Sequence, residues 1–172
     1  MDKIVRTSFL FTLLLLSCSR TAPRYSENKN NLKFVIEKYI TVDFKKKKLF
    51  LNYHNLKYED TIIFTNSERI DIINFFNKYN LNGETQEFWY IDENSVSTSL
   101  HDEIIILEDD KVRARFVINT DHKIDKSYFE EFETKIVKYR NFVKNIVKKK
   151  YSYKKANDSL KHFVKRRPAL LM

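Results

Sequence analysis

The chain has 172 residues, a formal net charge of +9 and 32% charged side chains, with 14 Phe and 10 Tyr against one Gly and two Pro. That length supports one domain with its own core, and the scarcity of Gly and Pro argues against disorder and loop-rich scaffolds. A single cysteine excludes an intrachain disulfide, and a single glycine excludes the P-loop and dinucleotide fingerprints, which need several.

Lys3 and Arg6 form a short positive head, followed by an apolar run from Phe9 to Leu16 that only Thr12 interrupts. A membrane-spanning helix needs about 20 apolar residues, and this run is less than half that. A basic head, a short apolar middle and a small residue before a break match a cleaved export signal instead. The small residue is Ser17, and the sole cysteine, Cys18, follows it. Leu15-Leu16-Ser17-Cys18 resembles the lipobox of bacterial lipoproteins. The resemblance implies cleavage between Ser17 and Cys18, transfer of a diacylglycerol to the Cys18 sulfur, and acylation of the new amine. Two or three acyl chains anchor stably, since each buried methylene contributes about 0.8 kcal/mol and one chain alone is marginal. The competing reading is a buried cysteine in an N-terminal helix of a cytosolic protein. The resemblance covers the first eighteen residues and carries no information about the rest.

Removal of Met1 to Ser17 leaves 155 residues and lowers the formal charge to +8, because Asp2, Lys3 and Arg6 leave together. Residues 18–31 read as the lipidated cysteine and a flexible polar tether containing Pro23. No acidic cluster follows Cys18, which points to a periplasm-facing anchor in the bacterial envelope. A single domain is expected over residues 32–167.

Within it, "KFVIEKYITVDF" and "KKLFLNYHNLKY" are rich in β-branched and aromatic residues and predict two strands separated near Lys45 to Lys48, with "DTIIFT" as a third. Thr65 and Glu68 have capping-box spacing and predict a helix to about Asn80, with Ile72, Phe75, Phe76 and Tyr79 on one stripe and Gly83 beyond its end. "EFWYID" restarts the sheet. "DEIIILEDDKVRARFVINT" predicts a hairpin turning at Glu108 to Lys111, in which Leu107 pairs with Val112, Ile105 with Ala114, Ile104 with Arg115 and Glu103 with Phe116. Ser127 and Glu130 form a second capping-box spacing. From there Phe132, Tyr139, Ile146, Tyr153 and Leu160 recur every seven residues, and Phe129, Ile136, Val143 and Val164 are apolar companions. Lys150 and Asn157 interrupt this seam, which could continue past Lys148 to Lys150 as one long helix or two stacked ones; the polar breaks favour packing on the sheet over recruiting a partner helix. The expected fold class is α+β: a mainly antiparallel sheet of about five or six strands, one inserted helix and a long C-terminal helix. Lys154, Lys155, Lys161, Lys165, Arg166 and Arg167 would make the end of that helix a basic arm, stopped by Pro168.

Local catalytic signatures are absent: there is no G-x-S-x-G elbow and no H-E-x-x-H. His54, His101, His122 and His162 are not paired at helical or zinc-finger spacing, so neither a metal nor a cofactor is expected. The most distinctive patch is His101-Asp102-Glu103, after Ser95, Ser97 and Ser99. Imidazole beside carboxylates suits acid–base work, but alternation along a strand lets only His101 and Glu103 share a face. Arg113 and Arg115 could clamp an anion bidentately, although such side chains more often cover apolar neighbours with their stems. Trp89 and Tyr90 suit the core better than a groove. Together these features predict a monomeric, non-enzymatic binding or adaptor module, anchored to the membrane by lipid and facing anionic envelope components or an envelope protein. One alternative is an envelope hydrolase assembled around His101. The other is a cytosolic nucleic-acid binder, which the lysine runs would fit if the N-terminal segment were not a signal.

Overall fold

The computed structural model describes residues 30–83, 87–90, 100–119 and 131–166. Among the described residues seven strands form one sheet: β1 (Asn30–Ile36), β2 (Ile40–Asp43), β3 (Lys48–Tyr53), β4 (Leu56–Thr61), β5 (Glu87–Tyr90), β6 (His101–Glu108) and β7 (Lys111–Asn119). Their spatial order is β4-β3-β2-β1-β6-β7-β5. The first six strands in that order are joined by antiparallel pairings, and β5 adds a parallel edge to β7. Helices α1 (Asn66–Lys78), α2 (Glu131–Lys148) and α3 (Tyr151–Arg166) complete the fold, so the class is α+β.

Side-chain alternation gives the sheet one mainly apolar, buried face. Phe34 and Ile36 of β1, Ile104 and Ile106 of β6, and Phe116 and Ile118 of β7 are at most 1% exposed. They belong to one core with Ile72 and Phe76 of α1, Ile136, Tyr139 and Val143 of α2, and Tyr153 and Ala156 of α3. The seven-residue seam of the C-terminal region therefore packs within the chain. Burial of each such side chain contributes roughly 1.5–3 kcal/mol, which is why the period of the pattern decides which face turns inward.

The first two expected strands each divide in two. Glu37 and Lys38 take left-handed φ values of 52° and 68°, and the Tyr39 amide donates to the Ile36 carbonyl at 3.2 Å, closing the β1–β2 turn. His54, with φ 50°, turns β3 into β4 through the Tyr53–Leu56 pair. Neither turn contains the glycine that usually marks such positions, and Asn55 is the one ordinary turn residue in them. The third expected strand contributes only Asp60 and Thr61 to β4. β1 also opens at Asn30, two residues inside the stretch assigned to the tether, and Asn31 is buried with its amide donating to Asp43 at 3.1 Å.

The β6–β7 hairpin turns through Asp109 and Asp110, and Leu107 pairs with Val112 as expected. A bulge between Ile106 and Leu107 then shifts every later pair by one residue. Ile106 faces Ala114, Ile105 faces Arg115, Ile104 faces Phe116 and Glu103 faces Val117. The shift sets apolar Ile104 against Phe116 on the core face and keeps Arg115 off it.

The Thr65 capping box is present: the Thr65 hydroxyl accepts from the Glu68 amide at 3.2 Å, and the Glu68 carboxylate accepts from the Thr65 amide at 2.7 Å. The helix stop belongs to Asn80, in the left-handed region at φ 54°, rather than to Gly83. The expected long C-terminal helix is two helices, separated at Lys149 and Lys150, whose amides close on Ile146 and Val147. A continuous helix over 131–166 would be about 54 Å long, whereas seven strands span only about 29 Å. The break folds α3 back over β3 and β4, where Tyr53 of β3 meets Phe163 of α3 edge-to-face at 5.9 Å.

Among the described residues no helix is long and apolar enough to cross a membrane. Ser17, Cys18, the Ser127–Glu130 cap, Phe129, His122, Arg167, Pro168 and the serines at 95, 97 and 99 lie outside the described residues, as do the side chains of Trp89, Tyr90 and Phe132.

Candidate functional site

β6 carries polar side chains on both faces at its N-terminal end, and the two faces are built differently. On the outer face, His101 Nε2 and Glu103 Oε1 are 2.9 Å apart. The Arg115 guanidinium donates to the other Glu103 oxygen through Nε and lies at 2.9 Å from it through Nη2. The bulge makes this possible, because it sets Glu103 opposite Val117 and diagonal to Arg115 on the same face. His101, Glu103 and Arg115 thus come together as one chain of contacts. Arg113 does not join them; it lies 3.6 Å from Glu108 at the far end of the hairpin. Each of the two arginines lies beside a carboxylate of this chain, Arg115 beside Glu103 and Arg113 beside Glu108.

On the core face stands Asp102, fully buried, which the sequence reading passed over as the middle member of His101-Asp102-Glu103. Lys144 of α2 donates to both of its oxygens, at 2.8 and 3.1 Å, and the Glu37 amide donates at 2.9 Å. Arg140 Nε lies 3.9 Å from the same carboxylate, while Arg140 Nη1 donates to the Asn119 carbonyl at 2.7 Å. Lys144 and Lys148 also approach the Glu37 carboxylate, at 3.7 and 3.5 Å. The phenol of Tyr153 beside this cluster is pushed up to about 12, first by burial and then by the Glu37 and Asp102 carboxylates. The signal for this cluster was available in principle: a charged residue on the apolar phase of a strand is costly unless paired. Its partner, 42 residues away, was not readable.

Chemically, the outer cluster orients an imidazole with a carboxylate, as an acid–base site requires. Both Glu103 oxygens are occupied, and among the described residues neither a nucleophilic hydroxyl or thiol at His101 nor a group of three His, Cys, Asp or Glu suited to a metal is found. The carboxylate of the inner cluster, Asp102, is closed to solvent and ties β6 to α2.

A third feature is concave. A cavity of about 240 Å³ lies where the β2–β3 turn, the connection from β4 and helix α1 meet. Leu32, Ile62 and Ile72, all at most 3% exposed, face into it, and Phe44 and Phe64 stack beside it with centroids 5.1 Å apart. Lys47, Arg69 and the 76%-exposed Ile63 also line it. The sequence marked the lysine run and the α1 stripe separately; their meeting is a tertiary event.

No protein-family model, no curated protein and no solved structure matches this chain.

Proposed function

We propose that the protein is a small bacterial envelope lipoprotein, with acylated Cys18 holding a non-enzymatic binding or adaptor domain at the membrane. The observation that carries this reading is the placement of the sole cysteine in Leu15-Leu16-Ser17-Cys18, behind a basic head and an apolar run too short to span. The first described strand opens at Asn30, and the polar stretch before it, with Pro23, suits a tether. Function on this reading is placement: the tether raises the effective concentration of the domain near the surface it binds. Lys154, Lys155, Lys161, Lys165 and Arg166 are exposed on α3 and suit an anionic envelope component. Each adds about 1 kcal/mol near an anionic lipid surface.

The test is the intact mass of the protein from the membrane fraction of a native-like host, beside Cys18→Ala. The expected wild-type mass lacks Met1 to Ser17 and carries acyl chains, and the variant is unmodified. A full-length, unacylated wild type in the soluble fraction would overturn the proposal and bring nucleic-acid binding forward. The 2.9 Å His101–Glu103 contact favours a second reading, a hydrolase-like envelope enzyme. A hydrolytic activity lost in both His101→Ala and Glu103→Gln would establish it.

A further inference from the structure

We infer that the outward face of α3 is a docking surface for an anionic phospholipid bilayer, on which the helix lies flat, so that the domain meets the membrane through its own surface as well as through its lipid. The inference rests on the membrane-anchored reading and deepens it by naming what the domain binds.

At about 100° per residue, every exposed residue of α3 falls within one arc of about 140°. Tyr151, Lys154, Asp158, Lys161, Lys165 and Arg166 mark the arc, with Lys155 and His162 between them. The opposite side, with Tyr153, Ala156 and Phe163, is packed in the core or against it. No aliphatic side chain stands on the arc. It carries five cations, and Asp158 is the only acid of the helix. Lys155 is engaged within the chain: its Nζ lies 5.7 Å from the centre of the Tyr58 ring, and its charge acts on the Asp60 carboxylate. Lys154, Lys161, Lys165 and Arg166 have no carboxylate partner among the described residues. The acids of the neighbouring strand β4 are occupied by other groups. Glu59 lies 2.9 Å from Lys48, and Asp60 accepts from the Tyr58 hydroxyl at 2.6 Å and from the Thr61 amide at 2.7 Å.

Shape and chemistry select a lipid surface. The apolar half of α3 is spent on the fold, so the helix cannot sink an apolar face into the acyl region, and contact is made by charge at the headgroups. Tyr151, 77% exposed at the start of the helix, adds a ring of the type enriched where membrane meets water. Lys154 to Arg166 extends over about 18 Å of helix, so these cations can meet a plane together. A duplex groove about 8.5 Å deep needs a helix that projects from its support, whereas α3 lies half-embedded on β3 and β4. Single strands need successive rings on which bases stack, and this face has Tyr151 alone beside His162. Each basic residue near an anionic membrane strengthens binding about fivefold. A single acyl chain anchors only marginally until a basic patch adds to it, which is the part this face would play.

The experiment uses the full-length chain carrying Cys18→Ser, which removes the acyl acceptor. Co-sedimentation compares vesicles of phosphatidylcholine alone with vesicles that also contain phosphatidylglycerol. Binding to the neutral vesicles through the apolar run Phe9 to Leu16 is common to every variant, so the excess on anionic vesicles is the quantity read. That excess should be present in the parent and vanish between about 0.1 and 0.5 M salt. The combined change Lys154→Gln, Lys161→Gln and Lys165→Gln should weaken anionic binding about a hundredfold and leave neutral binding unchanged. All three side chains are exposed, and circular dichroism checks that the variant is folded. Lys45→Gln, Lys46→Gln and Lys47→Gln together remove the same charge from the β2–β3 turn and should weaken binding less than about fivefold. Equal losses in the two triple variants would reduce the effect to net charge and overturn the inference, as would anionic binding that the α3 changes leave intact. Tighter binding of a short oligonucleotide than of anionic vesicles, lost with the same α3 changes, would overturn it and assign the face to nucleic acid. The intact mass reports acylation and this titration does not, so the two proposals fail separately.

Discussion

Lys144 donates to both carboxylate oxygens of Asp102, fastening the middle of helix α2 to the first turn of strand β6 across 42 residues of chain. The Lys144 side chain is 11% exposed and Asp102 is sealed. Removal of Lys144 leaves a sealed carboxylate with only the Glu37 amide and the more distant Arg140, and removal of Asp102 leaves Lys144 with Glu37 at 3.7 Å. Asp102→Ala and Lys144→Met should each destabilise the protein by about 3–5 kcal/mol. The double variant should cost clearly less than the sum, because both charges leave together. Urea denaturation of the four chains measures the coupling, and additive losses would show that the pair is not an energetic unit.

Glu103 makes a milder case. Its partners His101 and Arg115 keep 15% and 32% of their side-chain exposure, so both can turn to water when the carboxylate is removed. Glu103→Ala should cost about 1–2 kcal/mol, below the Asp102 value. A loss as large as that of Asp102→Ala would show that the outer cluster is as sealed as the inner one.

The N-terminal cap of α1 should be visible in acid. Burial alone would push the Glu68 carboxyl up, but hydrogen bonds from Lys150 and the Thr65 amide outweigh it and hold the group below its ordinary value. Stability from this group is complete above the unfolded value of about 4.3 and fades as pH falls through the lower folded value. Glu68→Gln should therefore flatten the acid side of the stability profile below about pH 4.3. Thr65→Ala should cost about 1 kcal/mol near neutrality. Denaturation midpoints across that pH range provide the check.

The opposite limb belongs to Tyr153. Its phenol is raised to about 12, so the folded state keeps the proton that the unfolded chain loses near pH 10. Stability from it is intact below about pH 10 and is lost as pH rises towards 12, since the unfolded state then binds fewer protons. Tyr153→Phe should lessen the alkaline loss, and tyrosinate absorbance of the folded protein should show one fewer late-titrating group.

The β6–β7 turn offers a stabilising change. Asp109 and Asp110 both sit at positive φ, 50° and 62°, in a two-residue hairpin loop. Asn-Gly adopts that geometry with less strain and without adjacent like charges. Asp109→Asn with Asp110→Gly should raise stability by about 0.5–1 kcal/mol. Thermal unfolding reads the shift, and a lower midpoint would mean that the aspartates make contacts beyond the turn.

Local patterns account for what was legible. The capping box at Thr65, the turn at Asp109-Asp110, the Leu107–Val112 pair and the shared face of His101 and Glu103 all follow from residues a few positions apart. Glu37, Lys38 and His54 broke the two long runs without a glycine, with only Asn55 as a local turn signal, because tertiary packing overrode their preference for negative φ. The seam was read correctly as intramolecular packing, but its division at Lys150 depended on the width of a sheet that the helix itself does not encode.

What this sequence determined alone is therefore periodic and local: strand and helix phases, the α+β class, the cap and the resemblance at Leu15 to Cys18. Only the tertiary structure decided which acid is sealed, which arginine meets Glu103 and where the apolar walls leave a space. Those outcomes depend on one bulged residue of β7, Arg113, opposite the Ile106–Leu107 step and on pairings such as Lys144 with Asp102 and Lys150 with Glu68. The physical reason is range. A side-chain period or a cap is settled by neighbours within a turn of backbone, whereas burial of a charge is settled by whatever distant segment the fold brings to it.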